Sequence, residues 1–374
     1  NPLKDNVSLK KIKVLGLGGS GCNTISRLSA LNLDSAELIA ANTDSFSLSN
    51  CRAEKTILLG QNTTFGHGAG GDLQMGRKAA EESYRTIIEC IQGSDLLFLT
   101  AGLGGGTGSG AIEIAARIAA SLGILTISIV TLPFSFEAER RKTSAYEATI
   151  ELQPFTNTLI TIPNDRLVEL TALNTPINTT LGMSDDILIK SIQGLSEILS
   201  NQGVMNIDFS HISKLMRSNG GTFISIGFGT GRERVASAIQ EALAHPLLEP
   251  TPIHQAQGII VKLTGDTRIE EIDSATAFLK EKAPEGVEIL PVIEQKNYTD
   301  DQIMVSLILT GMGATPVQYP EEIVTESIKI HNKNEVPEIH ENNPLYSKSL
   351  QNYDDELEVP AFLRRGYNLA NQFK

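Results

Sequence analysis

The sequence predicts an α/β protein: a domain with a mainly parallel sheet, a long central helix, a second and smaller αβ domain with a mixed sheet, and a disordered C-terminal tail. Three observations carry that expectation. From Lys11 to about Ile162, short β-branched runs alternate with amphipathic helical stretches, a repeat that builds a parallel sheet covered on both faces. Two glycine-rich loops, Gly16-Leu-Gly-Gly-Ser-Gly21 and Gly104-Gly-Gly-Thr-Gly-Ser-Gly110, each stand where a strand hands over to a helix. After about Thr315, periodicity is lost and acidic side chains accumulate.

Taken in order, strands fit Lys13–Leu17, Glu37–Asn42, Leu96–Ala101, Ile124–Leu132 and Leu159–Ile162, with helices over Asn23–Leu31, Leu73–Ile91, Gly110–Ser121 and Ala138–Leu152. Ligands of such sheets bind beyond the carboxyl ends of the strands, the edge on which both glycine loops fall. A further helix starts at Ser184, with Asp185 and Asp186 at its positive end, and closes at Gly203. Leu188, Ile192, Leu195 and Leu199 form one apolar stripe, widened by Ile187 and Ile198, so this helix is expected between two packed layers. From Val204 to Gly313 strands fit Phe223–Phe228, Gly258–Leu263, Val287–Ile293 and Met304–Leu309, with helices Arg232–Ala244 and Ile269–Ala283. These strands stand mostly in succession, which suggests a mixed or antiparallel sheet.

Residues 317–356 carry nine acidic and three basic side chains, as expected of a solvated linker. Leu357-Glu-Val-Pro-Ala-Phe-Leu-Arg-Arg365 follows. Pro360 suits a first helical turn, Phe362 and Leu363 form an apolar face, and Arg364 and Arg365 stand at the C-terminal end. Such a segment can fold onto a partner's groove.

Composition narrows the functions. The 374 residues carry a net charge of −13, and no Lys/Arg block offers a duplex-binding stripe, so nucleic acid is not an expected partner. Cys22, Cys51 and Cys90 lie far apart, without CxxC or Cys/His spacing, and read as reduced, buried thiols of a cytosolic protein. The longest apolar run, Ile124 to Leu132, is too short for a bilayer, and the start has no signal-peptide core. No direct membrane insertion is expected.

The loop from Gly104 to Gly110 holds five glycines in seven residues. Without side chains to shield it, consecutive N–H groups can converge on an anion at a helix start. Thr107 and Ser109 add hydroxyls suited to phosphate oxygens. The first loop alone matches the dinucleotide fingerprint GxGxxG, with Asp44 after the next strand, so an NAD-dependent oxidoreductase is a competing reading. That fold does not need a second, denser glycine loop. Two cradles on one sheet edge suit a triphosphate better than a pyrophosphate.

Leu103-Gly-Gly-Gly-Thr-Gly-Ser-Gly110 resembles the signature of the tubulin and FtsZ superfamily of GTPases. Around it stand Ala41-Asn-Thr-Asp44, Gly68-Ala-Gly-Gly71 with Gly76-Arg77, Thr131-Leu-Pro-Phe-Ser-Phe-Glu137 with Arg141, Ile162-Pro-Asn-Asp165 and Val204-Met-Asn-Ile-Asp-Phe209. In this order they resemble the bacterial FtsZ branch of that superfamily over about residues 10–315, and Glu358 to Arg365 is similar to its tail peptide.

The resemblance implies a Rossmann-like GTP-binding domain over residues 11–180 behind an N-terminal extension of residues 1–10. A central helix over 181–203, a C-terminal GTPase-activating domain over 204–316, the linker over 317–356 and a partner-binding peptide and tail over 357–374 complete it. It also implies GTP and GDP as ligands, with Mg2+. Phosphate binding then falls to Gly18, Gly19, Ser20, Gly21 and Cys22 and to Gly104, Gly105, Gly106, Thr107 and Gly108, with Gly70 and Gly71 near the terminal phosphate. Asn23, Glu137, Arg141, Asn164 and Asp186 map around base and sugar, Asp186 accepting from the ring N–H and exocyclic amine of guanine. Asp44 is left between the sugar, a magnesium shell and plain turn chemistry.

In this family the water-polarising acids come from the neighbouring subunit of a head-to-tail polymer. Asn206 and Asp208 fit the first part of that pattern, but His211 stands where the second aspartate is usual. The expected partners are other copies of the chain and, through 357–365, membrane-tethering and regulatory division proteins; the expected place is the cytoplasm, at the midcell division ring.

Overall fold

The computed structural model describes residues 11–31, 36–165, 221–244, 253–295 and 301–312, together with Ile189, Ile192, Ser196, Lys214 and Met216. Six strands form the first sheet: β1 (Ile12–Leu17), β2 (Ala36–Asn42), β3 (Lys55–Leu58), β4 (Leu96–Gly102), β5 (Leu125–Leu132) and β6 (Thr158–Pro163). They lie in the order β3-β2-β1-β4-β5-β6, and every pairing is parallel. β1 and β5 are buried along their whole length, as strands covered on both faces must be, which is why they read as continuous apolar runs.

The helices of this part are α1 (Gly18–Ala30), α2 (Ser45–Ser49), α3 (Gln61–Thr64), α4 (Leu73–Glu82), α5 (Tyr84–Ile91), α6 (Gly106–Ser121) and α7 (Glu139–Leu152). Two starts differ from expectation. α1 begins at Gly18 rather than Asn23, and α6 at Gly106 rather than Gly110. The glycine runs are the first turns of the helices, not loops ahead of them: weak helix propensity reads as loop, but a first turn needs few intrahelical bonds. The expected single helix over Leu73–Ile91 is two, because Ser83 (ψ 14°) leaves helical geometry and its hydroxyl accepts from the Gly60 amide at 2.9 Å. β3, α2 and α3 are too short to show a period and escape the sequence reading.

The second sheet contains β7 (Gly221–Gly229), β8 (Gly258–Thr264), β9 (Glu288–Glu294) and β10 (Ile303–Met312), with helices α8 (Arg234–Leu243) and α9 (Ile269–Lys282). Its order is β7-β10-β8-β9. β10 runs antiparallel to β7 and β8, while β8 and β9 are parallel. The mixed sheet expected from sequence is present, but not through strands in succession: only β9 and β10 follow one another directly, and the crossover α9 makes β8 and β9 parallel.

One apolar cluster links Val14, Phe98 and Ile129 of the first sheet to Ile260, Val292 and Ile308 of the second, and Ile189 and Ile192 belong to it. Ile192 of the expected apolar stripe is thus in the core, as is Ile189, which the stripe did not include, while the other stripe residues lie outside the described residues. Residues 166–188, most of 193–220 and all of 313–374 lie outside the described residues, as does the predicted linker and tail.

Candidate functional site

Two helix starts meet at the carboxyl edge of the first sheet. α1 follows β1 directly, and α6 follows β4 after three residues. Neither has a side-chain cap: Leu17 precedes α1, Gly105 precedes α6, and neither first turn contains an acid. Each start presents unpaired N–H groups and roughly half an elementary positive charge. Gly18 adopts φ +72°, and a Cβ there would stand 2.9 Å from the Gly108 nitrogen. Glycine at this point therefore brings the two positive ends together, an arrangement chemically suited to an anion.

The starts open into a cleft of about 700 Å³, within the roughly 300–1,000 Å³ usual for small-molecule sites. It is lined by Gly18, Gly19, Ser20 and Asn23 of α1, by Gly105 just ahead of α6, and by Gly106, Thr107 and Gly108 of α6. Glu137, Arg141 and Asn164 close the far side. Glu137 is fixed twice: one oxygen accepts from the Phe134 amide at 2.9 Å and the other pairs with Arg141 at 3.0 Å. The chain reaches this geometry because Pro133 to Ala138 turns away from β5 and α7 then starts at Glu139.

Some residues line the cleft to which the sequence reading gave no role: Gly102, and Leu103, Thr131, Pro133, Phe134 and Phe136, which it quoted only within motifs. Phe134 is buried and Phe136 exposed, and their rings stack at 4.8 Å and 15°. They offer a flat apolar face at the rim, which suits the face of an aromatic base. The Phe-Ser-Phe run beside Glu137 was the available signal.

Other candidates lie off the cleft lining. Gly21 is a packing glycine, since a Cβ would meet the Gly16 and Thr100 backbone at 2.7 and 2.8 Å. Cys22 turns its thiol into the core beside Cys51, and burial pushes it up to about 12, so it stays protonated. Gly104 (φ +92°) donates its N–H to the Ser109 hydroxyl at 2.8 Å. Ser109 is also fully buried and off the cleft lining, so it does not serve as the phosphate hydroxyl its motif suggested. Thr107 remains on the lining, its hydroxyl 2.6 Å from that of Thr43. Gly70 and Gly71 (φ +58° and +75°) form an exposed turn ahead of α4, whose start Asp72 caps.

Asp44 caps α2. Its carboxylate accepts from the Ser47 hydroxyl at 2.7 Å and from the Phe46 and Ser47 amides at 2.9 and 3.3 Å. The Ser47 hydroxyl first, and then these amides, hold its carboxyl below the usual carboxylate range. Of the three roles open to Asp44, turn chemistry is the one the geometry supplies. Among the described residues no group of three or more His, Cys, Asp or Glu could hold a metal ion. With Asp44 so engaged, no described side chain is assigned to Mg2+. Asp186, Asn206, Asp208 and His211, and the tail residues Pro360, Phe362, Leu363, Arg364 and Arg365, lie outside the described residues.

The strand order is that of a doubly wound nucleotide-binding sheet, which dehydrogenases share, so topology alone does not separate the two readings. Comparison with known proteins does. Residues 11–172 match the family model of the Tubulin/FtsZ family GTPase domain, and residues 220–313 that of the FtsZ family C-terminal domain. Over 313 residues the chain is 38% identical to Cell division protein FtsZ 1 of Thermococcus kodakarensis, covering 83% of each. This chain belongs to the FtsZ family.

Solved FtsZ structures agree. The empty FtsZ dimer of M. jannaschii is 35% identical, with a TM-score of 0.75, over 81% of this chain and 88% of that one. CetZ2 from Haloferax volcanii, in a GTPγS-bound protofilament, is 17% identical with a TM-score of 0.71, over 86% of this chain and 99% of that one, and shares the fold alone. These relatives are archaeal. They establish FtsZ family membership, not the bacterial source that the motif resemblance suggested.

Proposed function

We propose that this FtsZ-family chain binds GTP, polymerises head to tail and hydrolyses GTP where two copies meet, in the service of cell division. The observation that carries the reading is the convergence of two uncapped, glycine-built helix starts, at Gly18 and Gly106, on one cleft. Two positive ends suit the chain of charges on a triphosphate, and the Glu137–Arg141 pair with Phe136 would receive sugar and base. Gly70 and Gly71 lie toward the terminal phosphate. Mg2+ accompanies the phosphates in this reading, without an assigned ligand from the described residues. A head-to-tail contact is heterologous and generates an open filament. The FtsZ dimer of M. jannaschii supports self-association by likeness.

Phosphoryl transfer is mostly positioning and charge stabilisation, and the water-orienting group would be Asp208 of the next copy, beside Asn206. The tail peptide around Phe362 would recruit membrane-tethering and regulatory division proteins, holding a cytoplasmic filament at the division ring. No helix among the described residues is long and apolar enough to cross a membrane. Phosphate release measured beside light scattering, with GTP at several protein concentrations, tests the reading. Turnover that rises above a threshold concentration together with scattering is the expected result; GTP binding without either would overturn it.

A second reading is favoured by His211: a filament that forms with GTP but hydrolyses it slowly. Loss of one positioned acid–base group costs roughly 10²–10⁴ in rate. Turnover of Asp208-containing filaments should therefore rise in His211→Asp, with a changed acid-side pH profile. Equal rates and superimposable profiles would remove any role for His211.

A further inference from the structure

Thr43 stands outside both glycine motifs and does not line the cleft, yet it joins two of the segments that do the binding in the proposed function. Its hydroxyl lies 2.6 Å from that of Thr107, which does line the cleft. Its carbonyl accepts from the Gly68 amide at 3.1 Å and from the Thr64 hydroxyl at 3.3 Å. Thr43 is fully buried and Thr107 nearly so. One residue at the end of β2 thus grips the first turn of α6 by its side chain and the turn leading to Gly70 and Gly71 by its backbone.

We propose that Thr43 is a positioning residue for nucleotide binding, acting through the hydroxyl of Thr107. The inference rests on the GTP-binding reading above. A hydroxyl has one proton to donate and lone pairs to accept. A phosphate oxygen only accepts, so Thr107 must donate to it, and the shared Thr43–Thr107 bond must then run from Thr43 to Thr107. Bound nucleotide therefore fixes the direction of a two-hydroxyl relay, and each bond in such a chain polarises the next. Without Thr43 the Thr107 hydroxyl loses the partner that sets its rotamer and can turn its proton elsewhere.

Equilibrium titration of the full chain with a fluorescent GTP analogue tests this in four proteins: wild type, Thr43→Val, Thr107→Val and the double variant. Valine keeps the branched shape and removes only the hydroxyl. Thr43→Val should bind roughly tenfold more weakly, and Thr43→Ser, which keeps the hydroxyl, should recover most of that loss. In the Thr107→Val background, Thr43→Val should cost little more, because its effect travels through the missing group. If Thr43→Val does not fold, Thr43→Ala is read by the same criteria. Additive losses, or unchanged affinity in Thr43→Val, would overturn the proposal while leaving GTP binding intact. Wild type that fails to bind the analogue would overturn the functional reading itself, and this inference with it.

Discussion

The two sheets use glycine for the same packing purpose and differ in what surrounds their helix starts. In the second sheet, Gly227 and Gly229 of β7 let α8 lie against the strand: a Cβ would meet the Ala238 carbonyl oxygen at 2.0 Å and the Arg234 carbonyl oxygen at 1.8 Å. The start of α8 is then tied down. The buried Arg234 guanidinium donates to both oxygens of Glu271, at 2.6 and 3.0 Å, to the Asp301 carboxylate at 2.7 Å, and to the Asp266 carbonyl at 2.6 Å. Glu271 in turn accepts from the Arg268 amide at the start of α9, at 2.8 Å. In the first sheet, Gly18, Gly106 and Gly108 also let backbone come close, and the starts of α1 and α6, which like that of α8 carry no side-chain cap, face a cleft. Close-packed glycine alone marks scaffold. Close-packed glycine ahead of a helix start that opens into a cleft marks a ligand site.

Four substitutions break or sharpen that contrast. The largest effect is expected from Arg234→Met, which strips a buried cation from its carboxylates and should cost about 3 kcal/mol of stability; urea denaturation measures it. Nucleotide affinity of the folded protein should not move, and a parallel loss of affinity would show that the second sheet is not mere scaffold. Gly229→Ala comes next at about 2 kcal/mol, the cost of forcing a methyl into backbone, again read by denaturant midpoint.

Gly105→Ala should do the reverse. Nothing lies within 4 Å of a Cβ at Gly105, so the fold should tolerate it, but the methyl would stand at the mouth of the phosphate cradle. Affinity for GTP should fall about tenfold, or ~1.4 kcal/mol, with an unfolding midpoint close to wild type. A lower midpoint with unchanged affinity would merge the two regions into one behaviour.

The smallest effect is expected at Asp44, whose capping of α2 should be worth about 1 kcal/mol against Asp44→Ala. Because its carboxyl is held below the ordinary range, that stability is present at pH values above the unfolded carboxylate pKa near 4. It is lost as pH falls through the lower folded value. The gap between wild type and Asp44→Ala should therefore be full at pH 7 and shrink in acid. A pH-independent gap would mean that the charge of Asp44 adds nothing to the cap.

The long strands were legible because burial on both faces writes β1, β4 and β5 as continuous apolar runs, and five of the expected helices coincide broadly with α1, α6, α7, α8 and α9. What the sequence hid follows from length and from shared roles. β3 has four residues and α3 four, too few for a period to appear. The first turns of α1 and α6 were hidden because glycine suppresses helix propensity where function needs bare N–H groups.

At the site, the residue types were readable but their division of labour was not. Ser109 looked like a phosphate ligand and instead secures Gly104. Thr43, quoted only within the Ala41 to Asp44 run and given no role there, meets Thr107. Phe136 stands in the Thr131 to Glu137 run with no role of its own in the sequence reading, and it is exposed at the cleft rim. Such assignments depend on which side chains the fold brings together, and no spacing rule encodes that.

The central claim is that two uncapped helix starts form a triphosphate cradle rather than a dinucleotide crevice. Its most direct test is equilibrium binding of GTP, GDP and NAD to the full chain, with Gly105→Ala alongside. Saturable binding of GTP and GDP at one site per chain, weakened in Gly105→Ala, with no binding of NAD, is the predicted result. Saturable NAD binding, or GTP binding that Gly105→Ala leaves unchanged, would contradict it.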